Sequence, residues 1–173
     1  MLAGCKEAKK NEVAPAAPDS PVLGPPPLEP KNVTIEVVLL QELPEDLPEE
    51  EIVNYIQLVD GNSGSVIGYP TNFTVSVFAG KKVKWKGKKL PGVSGQKPRI
   101  DSISMKVGIP NNVDLVENGQ RINDENQQDN DLEFTVKSNL NPGDMEHYKI
   151  VISFGQGNNK KSFPIDPILN WHP

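Results

Sequence analysis

Beyond residue 32, short runs of β-branched and apolar residues, several with hydrophobic residues at every second position, carry the spacing of strands with one face buried. Val33 to Leu40 is a run of β-branched and apolar residues and predicts a first strand. Residues 52–59 predict a second. Residues 72–79 alternate cleanly, with Phe73, Val75, Val77 and Ala79 on one face. Lys82-Val83-Lys84-Trp85-Lys86 alternates in the opposite sense, charge outward and Val83 and Trp85 inward. Residues 99–107, 132–137, 147–154 and 162–165 complete the set, and Tyr148, Ile150, Ile152 and Phe154 share a face. Turn chemistry separates these runs at 60–65, at Gly80-Lys81, at 141–144 and at 155–159. Pro164 confines its strand to an edge. Two prolines four apart, Pro44 and Pro48, interrupt the acidic run 42–51, which reads as a solvated loop with at most a short helical turn after Pro48. Residues 108–131 are polar and rich in breakers, and read as a mobile loop.

Seven or eight short strands without a convincing helix predict an all-β domain over residues 32–173. The best match is an antiparallel β-sandwich, immunoglobulin-like but without its disulfide. A jelly roll or a partly open barrel fits the same pattern.

The first 31 residues differ in kind. Prolines stand at 15, 18, 21, 25, 26, 27 and 30, and bulky apolar residues are few. Such a segment cannot bury enough surface to offset its ordering entropy. The prolines of residues 6–31 favour an extended, semi-rigid course, with a reach of ~80 Å at about 3.1 Å per residue. The formal net charge of −5 argues against a nucleic-acid partner. No apolar run approaches the ~20 residues that span a bilayer.

Cys5, the single cysteine, closes the tetrapeptide Leu2-Ala3-Gly4-Cys5. This resembles the lipobox of bacterial lipoproteins, in which small side chains precede a cysteine that carries diacylglycerol. The resemblance covers these four residues and departs from the family in lacking the charged and apolar stretches that should come first. A chain trimmed to the end of its signal peptide would explain that. The resemblance implies lipidation at Cys5 and a membrane anchor. Two or three acyl chains hold firmly where one holds only marginally. Lys6 stands where an aspartate would retain many such proteins in the inner membrane. Cys5-Lys6-Glu7 is loosely similar to the charged signal that sends some Gram-negative lipoproteins to the cell surface. The expected place is therefore the outer membrane, on its surface or periplasmic face.

Candidate chemistry is thin. Six lysines lie within residues 81–89, and Lys82, Lys84 and Lys86 share one face. They suit an acidic polysaccharide, a lipopolysaccharide phosphate or a protein, or they simply solvate an outer face and discourage edge pairing. Trp171, Tyr69 and Tyr55 are candidates for stacking on sugar rings, or for packing in the core. The oxygen-rich run 123–131 could approach calcium, but its spacing matches no known cage. Asp101-Ser102-Ile103 resembles a short O-glycosylation motif of Gram-negative exported proteins. His147 and His172 begin no metal-ligand spacing, and no serine sits in a nucleophile elbow. The reading that follows is a binding or accessory module of the envelope for glycan or protein, without enzymatic activity, cofactor or metal. The alternative is an assembly subunit that pairs through strand edges.

Overall fold

The computed structural model describes residues 28–61, 67–68, 70, 73–117, 120–122, 131–155 and 157–173. The fold is all-β. Its strands are β1 (Val33–Leu39), β2 (Ile56–Asp60), β3 (Ile67–Gly68), β4 (Thr74–Phe78), β5 (Lys82–Lys89), β6 (Arg99–Met105), β7 (Gln120–Ile122), β8 (Leu132–Thr135), β9 (Met145–Phe154), β10 (Lys161–Ile165) and β11 (Ile168–His172). They form two sheets, one ordered β3-β2-β1-β5-β8 and the other β4-β11-β9-β6-β7, with β10 also pairing β9.

Both sheets are mixed. β1 runs parallel to β5, and β4 parallel to β11, which corrects the expectation of purely antiparallel sheets. Alternation assigns a side chain to a face but says nothing about strand direction. Direction depends on which strands end up as neighbours. Here β5 lies beside β1 rather than beside β4, its neighbour in sequence.

One apolar core joins the inner faces. Val33, Ile35, Val37 and Leu39 of β1 and Val83 and Trp85 of β5 come from the first sheet. Tyr148, Ile150 and Ile152 of β9, Ile100 and Ile103 of β6, and Leu169 and Trp171 of β11 come from the second. Trp85 links the two layers. Its indole N–H donates to the Tyr148 hydroxyl at 3.1 Å, and the rings meet nearly edge to face at 5.7 Å. Both polar atoms are thereby satisfied where water cannot reach them.

Several expectations shift. The strand expected over 52–59 is divided: Glu49–Asn54 is a 3-10 helix, and β2 starts at Ile56, opposite Leu39. The helix places Ile52 in the core and keeps its three glutamates in water. β11 was not foreseen, because Asp166-Pro167 breaks the alternation just before it. β10 and β11 lie end to end along one edge of β9 and pair with its two halves. Pro164 sits in β10, whose sole strand partner among the described residues is β9.

The segment 108–117, expected to be mobile, is pinned to β9. The Asn112 side chain donates to the carbonyls of Lys106 (2.8 Å) and His147 (2.9 Å) and accepts from the His147 N–H. Glu146, with no exposure, accepts from the Leu115 N–H at 2.9 Å. Leu115 and Val116 are buried as a result.

Candidate functional site

The pairing registers give the domain two ends. Val33, Lys82, Thr135 and Tyr148 belong to the end where the N-terminal segment enters, and the Lys82 N–H donates to Asn32 Oδ1 there. Leu39, Lys89, Arg99, Phe154 and Lys161 belong to the other end. The seven residues of β1 separate the two by roughly 20 Å.

The lysines of β5 do lie on one outer face, but that face is a charge ladder. Lys82 pairs with Glu133 at 2.6 Å, Lys84 with Asp131 at 3.0 Å and Lys88 with Glu36 at 2.5 Å. The carboxylates come from the flanking strands, or from the residue leading into one. The ladder therefore does not need the acidic run 42–51. Lys86 stands opposite Glu36 in the register. Beside Lys82 and Glu133 lies a polar hollow of about 310 Å³, also lined by Glu117, Phe134 and Thr135.

Trp171 is 3% exposed, and its indole N–H donates to the Lys137 carbonyl at 2.9 Å, so it offers no ring face to a sugar. Tyr55 closes the 3-10 helix and is partly buried against the core. Cys5, Tyr69 and residues 123–130 lie outside the described residues. Among the described residues no group of three or more His, Cys, Asp or Glu is placed to hold a metal, and no helix is long and apolar enough to cross a membrane. Ser102 stands partly buried on β6, just past the bulge between Ile100 and Ser102.

The concave feature of greatest chemical interest is at the end far from Asn32. A groove of about 470 Å³ runs between the segment Leu43-Pro44-Glu45 and the β9–β10 turn, lined there by Phe154, Gly155, Asn158, Asn159, Lys160 and Lys161. The turn is held from several directions. Gly155 has φ +79°, and a Cβ there would lie 2.5 Å from the Asn159 carbonyl oxygen. That position therefore admits only glycine without opening the turn. The Lys160 N–H donates to the Gly157 carbonyl at 3.2 Å. Its ammonium is 3.0 Å from Asp101 Oδ2, while Asp101 Oδ1 accepts from the Ser153 hydroxyl at 2.9 Å. Asp101 is the extra residue of the β6 bulge, and bulges often re-aim a side chain in this way. Phe154 in the groove floor is braced edge-on by Phe163 at 6.1 Å.

Sequence reasoning missed this groove. Its walls come from two segments far apart in sequence, and only the glycines of the turn hinted at tight geometry. It also missed a hydrogen bond between Ser76 Oγ and His172 Nε2 at 3.0 Å, with Asn170 Nδ2 at 3.4 Å from the same nitrogen. Parallel pairing of β4 with β11 brings these together on an outward sheet face.

No protein-family model and no curated protein sequence matches the chain. Among solved structures, the chain is similar to the inclusion body protein PixA from Burkholderia cenocepacia J2315. The identity is 12% and the TM-score 0.43, and the match covers 84% of this chain and 98% of that one.

Proposed function

We propose that this protein is a bacterial outer-membrane lipoprotein, acylated at Cys5, whose immunoglobulin-like β-sandwich acts as a binding or accessory module of the envelope. The observation that carries the reading is the order of parts: Leu2-Ala3-Gly4-Cys5, then a proline-rich stretch, then a domain whose first strand starts at Val33. The groove lies at the far end of that strand from the tether, so an anchored domain would hold it away from the lipid. Native protein is expected to show acyl mass on Cys5 and to sediment with outer membranes, and Cys5→Ala to release it to the soluble fraction. Wild-type protein that is soluble and unmodified in its host overturns the proposal.

A second reading makes the domain an assembly subunit. It is favoured by β4, which ends its sheet and has no strand on its outer side among the described residues. Such an edge suits strand addition by a partner. A stoichiometric partner recovered from detergent extracts, and lost when Ser76→Pro blocks the edge, would select it.

A further inference from the structure

We infer that the groove between residues 43–45 and the β9–β10 turn is a binding site for a short, uncharged oligosaccharide. The inference rests on the binding-module reading and supplies its ligand class. Size comes first: about 470 Å³ lies within the ~300–1,000 Å³ typical of small-ligand sites. Charge comes next. The groove has two ammonium groups, Lys160 and Lys161, and one carboxylate, Glu45. Asp101 holds Lys160 from behind at 3.0 Å. Arg99 Nε lies 3.9 Å from the same Asp101 carboxylate. Three positive and two negative groups leave a surplus of one charge, too small to select a polyanion.

The remaining polar groups match hydroxyls. Asn158 and Asn159 each present a donor and an acceptor, and Glu45 can accept from neighbouring hydroxyls. Half-buried Leu43 and exposed Pro44 give an apolar surface for the C–H face of a ring, backed by the buried Phe154. The turn is already fixed by Gly155, by the Gly157–Lys160 bond and by the Asp101–Lys160 pair, so little ordering cost remains for the ligand to offset. A peptide ligand would ask for unpaired backbone along the groove wall. Instead, β9 and β10 pair with each other there up to Lys161–Phe154.

The test titrates the full chain in detergent with maltotriose, cellotriose, chitotriose and mannotriose, and with heparin and polygalacturonate, by calorimetry and ligand-observed NMR. At least one neutral trisaccharide is expected to bind saturably. Asn158→Ala should weaken it about tenfold, the loss of roughly one hydrogen-bonding group, and Glu45→Gln similarly. Lys86→Ala, on the opposite sheet face, should leave binding unchanged. Asp101→Asn should weaken binding while the far-UV spectrum stays native, because it loosens the turn without touching the ligand. Binding of the charged chains alone, or binding of neutral glycan that Asn158→Ala and Glu45→Gln do not affect, overturns the inference. So does silence towards all the neutral glycans. If the same preparation carries acyl mass on Cys5, that silence removes the glycan assignment and leaves the envelope reading standing. Neutral glycan binding through the groove by a protein with a bare Cys5 does the reverse.

Discussion

Trp85 shows how much of this domain rests on single positions. It is fully buried, touches Phe134 in its own sheet at 6.0 Å between ring centres, and reaches Tyr148 in the other. Trp85→Phe removes both volume and the donor to the Tyr148 hydroxyl. The expected cost is about 2–4 kcal/mol, from a cavity plus a lost buried hydrogen bond, read as a lowered urea midpoint. Gly87, one step along the inner face of β5, is constrained differently. A Cβ there would lie 1.8 Å from the Pro98 carbonyl oxygen, and backbone cannot swing aside as a side chain can. Gly87→Ala is expected to cost about 3 kcal/mol or to prevent folding, against the 1–3 kcal/mol usual for overpacking. Asn112 satisfies three backbone groups with one amide. Asn112→Ala should cost about 1–2 kcal/mol, because it strands partly buried donors and acceptors. Hydrogen exchange should rise first in residues 108–117.

At the scale of elements, the ladder on β5 makes a contrasting prediction. Its ion pairs are at least partly exposed to water, and such pairs contribute ~0.2–1 kcal/mol each. Lys82→Ala should therefore lower stability by under about 1 kcal/mol, and added salt should shrink even that difference in urea unfolding. The elements also mark what a reading of residues could reach. β1, β4, β5, β8 and β9 were legible because buried and exposed positions alternate, and Pro164 gave away an edge. The start of β2 was not, because Ile52 and Val53 look like strand residues while Pro48 and three glutamates start a 3-10 helix. β11 was hidden by Asp166-Pro167. The bulge at Asp101 was hidden because nothing local distinguishes an extra residue from a register shift. The groove was the least legible part, since it exists only once Leu43-Pro44-Glu45 is brought against the distant β9–β10 turn.

At the scale of the molecule, β1 marks where the folded body starts. β1 is hydrogen-bonded on both sides, to β2 and to β5, and four of its side chains enter the core. The residues just before it are exposed from Leu28 to Asn32, with the Asn32 side chain as a clasp on Lys82. Stability should therefore be indifferent to everything ahead of residue 28 and intolerant of losses only a few residues further in. A chain starting at Leu28 is expected to unfold in urea at the same midpoint and with the same slope as the full chain. A chain starting at Leu40 should not fold, because β2 and β5 would face each other across a missing central strand. A single core shared by both sheets also predicts one cooperative transition, with tryptophan fluorescence and far-UV circular dichroism coinciding. A lower midpoint for the Leu28 chain would mean that the proline-rich segment packs on the domain. The anchor proposed at Cys5 would then be coupled to the fold, and the proposed role of the groove as the far end of a passive tether would fall.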